Sequence, residues 1–171
     1  QLEAIAWNTS QGFSTALSAF VAQNYAAGKN DRVLGAYATT LKMTAVFGTF
    51  CTLLFVFWGS ELFSLIVPDP QAYKAGGVFL RIDGYSMLFM MLEITTQGLF
   101  YGTGRTLPPA VISIGFNTLR IPLAMLLASI GMEITGVWWA ISLTSIAKGI
   151  TSAAWFAVLK RRILVTKGDD D

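Results

Sequence analysis

The chain contains no histidine, a single cysteine and few charges: only 13% of its 171 residues are Asp, Glu, Lys or Arg. Without histidine, imidazole catalysis and histidine metal sites are excluded. Cys51 sits in an apolar run with no partner for an internal disulfide, so it says nothing about redox compartment. The charged share is about half the ~25% of a soluble domain. The net charge of +2 is too small, and the cations too gathered at one end, to track a nucleic acid. Low-complexity segments and soluble domains are also missing. Against these absences stand 54% hydrophobic residues and a mean hydropathy of +0.57. This is the composition of a polytopic, all-α transmembrane bundle. Nothing in it points to an enzyme, a cofactor or a metal.

About five stretches approach the ~20 apolar residues that cross ~30 Å of hydrocarbon. The first, 4–24, is the most polar, with Asn8, Gln11, Thr15 and Ser18 on one face and Phe13, Leu17, Phe20 and Val21 left for packing or lipid. Gly28 is a natural C-cap for it. The second, 34–58, carries Thr40, Thr44, Gly48 and Cys51 in a stripe that lets a neighbour come close, with Lys42 near enough to one end to snorkel out. Val67-Pro-Asp-Pro70 stops a helix, because each proline removes a donor and restricts the residue before it. A linker is expected over 59–74. The third span, 77–101, holds Glu93 well inside it. The fourth, 109–130, starts at prolines and carries Arg120 beside Pro122, which predicts a kink. The fifth, 136–159, opens on Trp138 and Trp139, residues suited to a membrane interface, and has Lys148 near its middle.

Outside the spans, Lys29, Arg32, Arg105, Lys160, Arg161, Arg162 and Lys167 fall on one side against Lys74 and Arg81 on the other. The excess of cations predicts a cytoplasmic C-terminus in a cell membrane. With an odd number of spans, Gln1 then lies outside, without an initiator methionine or signal sequence, and the expectation is a fragment whose preceding helices are missing. Residues 163–171 read as a cytoplasmic tail, the closing Gly-Asp-Asp-Asp171 resembling an appended tag.

The buried charges carry the functional argument. Ser86, Glu93, Thr96 and Gln97 share a face on the third span. Ser113, Asn117 and Arg120 do so on the fourth, and Thr144, Ser145, Lys148, Thr151 and Ser152 on the fifth. Three polar stripes with no place in lipid should converge on a common interior. An ionisable residue at that depth is a functional candidate with a partner to be named. The plainer alternative is that Glu93 ties helices together by neutralising Arg120 or Lys148, while carbonyls freed by Pro122 satisfy Arg120. Met87, Met90 and Met91 are ordinary packing, or soft lining for a cavity that takes varied ligands. Two cations against one mid-depth acid predict that absent helices contribute an acid, or that water reaches the site.

Three motifs in order carry a family resemblance: Ala22-Gln-Asn-Tyr-Ala-Ala-Gly-Lys29, Gln97-Gly-Leu-Phe-Tyr-Gly-Thr-Gly-Arg-Thr106 and Asn117-Thr-Leu-Arg-Ile-Pro122. Over nearly its whole length the chain resembles the C-terminal lobe of the multidrug and toxic compound extrusion (MATE) transporters. The resemblance implies helices eight to twelve of a two-lobe, twelve-helix antiporter. Its missing partner would be the N-terminal lobe with helix seven, and its cargo small cationic or amphiphilic drugs exchanged for sodium or protons. One branch of the family has a coupling acid in helix ten; the matching position here is near Met90, and the acid stands one turn later at Glu93. The mechanism implied is alternating access, with Glu93, Gln97, Asn117, Gln11, Lys148 and Arg120 as the ion- or substrate-binding candidates. Two rivals are half of a lipid-linked precursor or polysaccharide flippase, which needs a more cationic cavity, and a membrane scaffold that transports nothing.

Overall fold

A computed structural model describes residues 2–67 and 69–165, with side chains to Lys160. Among the described residues there are five α-helices and no strand: α1 (Leu2–Ala26), α2 (Asn30–Ser64), α3 (Pro70–Gly102), α4 (Leu107–Leu127) and α5 (Glu133–Val165), with a π-helical turn at Ala128–Met132 between the last two. The expected C-terminal tail lies outside the described residues from 166 onward, and its first residues continue α5.

Local chemistry sets the ends. Gly28 takes a positive φ of 70° after α1, and the Lys29 amide reaches back to the Asn24 carbonyl at 2.8 Å, closing the helix as a glycine-capped end does. The same device recurs after α3, where Gly104 has φ 74° and the Arg105 amide donates to the Phe100 carbonyl at 2.9 Å. At the start of α3, the Asp69 carboxylate accepts from the Ala72 amide at 3.2 Å, with Pro70 at the first helical position.

Two expectations about connections need correction. The linker is not 59–74: α2 continues to Ser64 through a kink at Trp58 (φ −120°, ψ 19°), leaving only residues 65–69 between helices. The kink survives because the guanidinium of Arg81 donates to the Val56 carbonyl at 3.2 Å, supplying a donor where the helical ladder is interrupted. The second correction concerns α4, which runs through Pro122. The chain instead breaks at Gly131 (φ 94°) and Glu133 (φ 46°), where glycine permits the left-handed backbone.

α3 is the central helix, packed against α1, α2 and α5, whereas α4 is carried almost entirely on α5. Contacts give the directions. Ser14 and Val21 of α1 meet Gly98 and Gly102 of α3 in the same order, so the two run parallel. Thr44 pairs with Thr95 while Gly59 lies against Gly77, so α2 is antiparallel to α3. Ser142 bonds the Ile82 carbonyl and Phe156 meets Phe100, so α5 is parallel to α3. Ser10, Ser14, Leu17 and Val21 of α1 are buried, whereas Phe20 is 45% exposed, open to lipid. A Cβ on Gly98 would lie 2.6 Å from the Ser14 carbonyl oxygen, so only glycine allows this approach.

The outside is apolar and the inside partly polar. Val46, Phe50, Ile114 and Met125 are exposed, while Thr44, Thr95, Thr96, Ser142 and Ser152 are buried. That inversion suits lipid, where apolar surface has no cost and hydroxyls must find partners. Three helical stretches are long and apolar enough to cross a membrane: Asn30–Ser64, Pro70–Gly102 and the 54-residue Leu107–Lys160. The last doubles back at Gly131, because Gly136 abuts Leu127 and Thr144 faces Arg120. It therefore folds into two antiparallel arms, α4 and α5. α1, with Asn8, Thr9, Ser10 and Gln11 in one turn, is not apolar enough by the same measure. Trp138 and Trp139 pack on α3, edge-on to Phe79 at 5.7 Å and stacked on Tyr85 at 6.1 Å.

Candidate functional site

Because α4 leans on α5 and barely touches α3, a wedge opens between α1, α3, α4 and α5. It holds a cavity of about 290 Å³, lined from α1 by Glu3, Trp7 and Gln11, from α3 by Met90, Glu93, Ile94 and Gln97, from α4 by Ser113 and Arg120, and from α5 by Ile141, Ser145 and Lys148. No residue of α2 lines it. The floor is α3, whose far side is tied to α2 by hydroxyl pairs, Thr44 with Thr95 and Tyr37 with Thr96, each at 3.0 Å. Thr96, expected on the stripe with Glu93, instead bonds Tyr37 of α2 and does not line the cavity.

Glu93 is only 4% exposed and is held at both oxygens. Lys148 Nζ lies 3.5 Å from Oε2, and Gln97 Nε2 donates to Oε1 at 2.8 Å from one helical turn further on. Lysine and glutamate remain at the cavity wall, with side chains 12% and 6% exposed. Glu93 is therefore both an interhelical tie and a wall of the cavity.

Arg120 has a different environment. Its Nε donates to Thr144 Oγ1 at 3.0 Å and its Nη2 approaches Ser145 Oγ at 3.5 Å. Thr144 can accept because its own proton goes to the Ala140 carbonyl at 2.7 Å. The hydroxyls of α5, not carbonyls freed by Pro122, satisfy the guanidinium. Among the described residues Arg120 makes no ion pair, the Lys148–Glu93 contact being the one found.

Of the six candidates read from the sequence, the fold gathers Gln11, Glu93, Gln97, Arg120 and Lys148 around one cavity. Asn117 is the exception: it is exposed and absent from the lining. Three residues turn a helix by about 300°, so Asn117 points about 60° away from Arg120, and on a helix supported from one side that angle carries it out of the wedge. Glu3 and Trp7 join the lining without a signal in the span pattern. Their spacing with Gln11, at i, i+4 and i+8, places all three on one helical face, but Glu3 falls outside the apolar window that defined the span.

Comparison with known proteins gives consistent results. A model of the MatE family matches residues 2–126. The chain is 24% identical over 139 residues to a protein described as "Probable multidrug resistance protein NorM" from Thermotoga maritima, covering 80% of this chain and 30% of the relative. It is 30% identical over 156 residues to a protein described as "FAD transporter" from Shewanella oneidensis, covering 88% of this chain and 33% of the relative. The chain thus spans about a third of the length of these relatives.

Proposed function

The chain belongs to the MatE family, and from that membership we propose that it forms part of a multi-pass efflux transporter of the cell membrane, its C-terminus in the cytoplasm. In this reading the protein exports cationic or amphiphilic compounds by alternating access, in exchange for sodium or protons. The resemblance to a probable multidrug resistance protein supports the choice of cargo class. The N-terminal lobe with helix seven would supply the other wall of the cavity.

One observation carries the reading: a buried carboxylate, Glu93, faces a cavity lined by side chains from four helices. In a membrane interior such a group is costly unless its charge is compensated, and here the compensation comes from Lys148 and Gln97. A pair of that kind can open when a cation or a cationic substrate competes with Lys148 for the carboxylate. The contents of the cavity then decide which access state is favoured, because a ligand shifts only an equilibrium it binds differentially.

The test is uptake of a cationic dye into vesicles holding the reconstituted polypeptide that carries this chain, for wild type and Glu93→Gln. Gradient-driven dye movement that is lost in the variant is the expected result. Unchanged movement would remove Glu93 from the mechanism.

A second reading, with an anionic cargo, is favoured by Arg120, whose guanidinium has only hydroxyl partners at the cavity wall. The relative described as an FAD transporter fits that reading, since a flavin dinucleotide carries phosphates that an arginine fork matches. Competition of FAD against the dye separates the two: inhibition that disappears in Arg120→Gln favours the anionic cargo.

A further inference from the structure

Four cations gather at one end of the bundle, and three rings fix their common level. Tyr37 of α2 meets Phe156 of α5 at 4.9 Å, and Phe156 meets Phe100 of α3 at 6.4 Å. Lys160 comes four residues after Phe156, and Arg105, whose amide closes the end of α3 on the Phe100 carbonyl, comes five after Phe100. α2 runs the other way, so Arg32 and Lys29 come five and eight residues before Tyr37. All four therefore lie beyond the rings in the same direction. Among the described residues none of them makes an ion pair, and Asp31 is the one acid at this end. The opposite end holds Glu3, Glu61, Asp69 and Glu133 against Lys74 and Arg81.

The last turns of α5 before Lys160 carry a shallow groove of about 330 Å³, lined by Thr151, Ala154, Trp155, Val158 and Leu159, a spacing that keeps to one helical face. Trp155 and Leu159 are half-buried against the cluster that contains Phe100 and Phe156, which holds one wall in place. Val158 is 77% exposed, and the small side chain of Ala154 leaves space between them. Eight residues of helix make the groove about 12 Å long, close to the ~15 Å of hydrocarbon in one leaflet. A soluble anion would find the cations but make no use of the groove. A neutral lipid would fill the groove but gain nothing from Lys160. The combination selects a phospholipid of net negative charge.

We propose that this end of α5 binds an anionic phospholipid, with one acyl chain in the groove from Leu159 to Thr151 and the headgroup phosphate on Lys160. Arg105, Arg32 and Lys29 add attraction to the same membrane surface. The indole N–H of Trp155, one of two side-chain donors in the groove, serves the interfacial part of the lipid, as amphipathic indoles do at membrane boundaries. The site stands on the groove and the cations; that it faces the cytoplasmic leaflet, where anionic lipids gather, rests on the orientation proposed above.

Phosphatidylglycerol and phosphatidylcholine with the same brominated acyl chains, added to the purified full polypeptide in detergent, test this by quenching of tryptophan fluorescence. The share of Trp155 is the difference between wild type and Trp155→Phe. The expected result is that phosphatidylglycerol quenches that share at a lower concentration than phosphatidylcholine. Lys160→Gln should shrink the preference about fivefold, the ~1 kcal/mol that one cation contributes near an anionic surface. Ala154→Leu, at an exposed position, should raise the concentration needed of both lipids. Equal quenching by the two lipids in wild type overturns the proposal, as does a preference that Lys160→Gln leaves intact; no effect of Ala154→Leu overturns the placement of the chain. Displacement of the brominated lipid by glycerol phosphate at equal concentration would make this a site for free phosphate instead. Melting temperature gives a second measurement without the Trp155 variant: phosphatidylglycerol should raise it more than phosphatidylcholine does, and equal shifts count against the site. Neither measurement involves transport, so a failed dye assay would reject the exporter and keep the lipid site, and equal quenching beside a working assay would do the reverse.

Discussion

Lys148 Nζ stands 3.5 Å from Glu93 Oε2, joining α5 to α3 where the side chains are 12% and 6% exposed. Removing one partner of such a pair leaves an uncompensated charge, which typically costs about 3–5 kcal/mol. Lys148→Met is therefore expected to lower stability by about that much, and the double variant Glu93→Gln/Lys148→Met to recover most of the loss. Denaturant titration in detergent provides the measurement; equal losses in the single and double variants would show that the pair contributes nothing as a pair.

The α1–α3 contact depends on glycine. A Cβ at Gly98 would meet the backbone and hydroxyl oxygens of Ser14 at 2.6 and 2.7 Å, and forcing helices apart by overpacking costs about 1–3 kcal/mol. Gly98→Ala should destabilise by that amount, while Gly115→Ala, whose Cβ would enter open space, should not. Thermal melts of the two variants side by side check the contrast.

The reversal between α4 and α5 is expected to be sensitive at Gly131 and insensitive at Pro122. Gly131 has φ 94°, a backbone that costs an L-residue about 1–2 kcal/mol; Gly131→Ala should show that loss. Pro122→Ala, inside a helix that already tolerates the ring, should leave stability unchanged or raise it. Finding the larger loss at Pro122 would place the break in the wrong residue.

Between α2 and α3, the Thr44 and Thr95 hydroxyls meet at 3.0 Å in a fully buried setting. Interhelical hydrogen bonds in membranes average about 0.6 kcal/mol. A double-mutant cycle of Thr44→Val and Thr95→Val should return a coupling of about that size. A value near zero would mean that each hydroxyl is already satisfied within its own helix.

Several features were readable from residues alone because they depend on local chemistry. Gly28 ended α1 and Pro108-Pro109 fell in the first turn of α4, since capping and proline sterics act within a few positions. Of the stripe Thr40, Thr44, Gly48 and Cys51, the last three are buried and Thr40 half-buried, as helical periodicity implies. The register of one helix against another was less accessible. Thr96 lies four residues from Leu92 and three from Glu93, yet it bonds Tyr37 on α2, and Asn117 missed the wedge by a fraction of a turn. Helical spacing fixes which residues share a face but not which neighbour that face meets.

The amino-acid sequence by itself determined that this chain is an all-helical membrane protein with charges where lipid cannot tolerate them, because hydropathy and the shortage of ionisable residues are properties of composition. Tertiary structure decided the rest: that Lys148 and not Arg120 pairs with Glu93, that Arg120 rests on α5 hydroxyls and that Glu3 joins the cavity. Those outcomes depend on how far α4 leans from α3 and how closely glycines let α1 approach, quantities set by side-chain volumes across helices and invisible to any pattern along one of them.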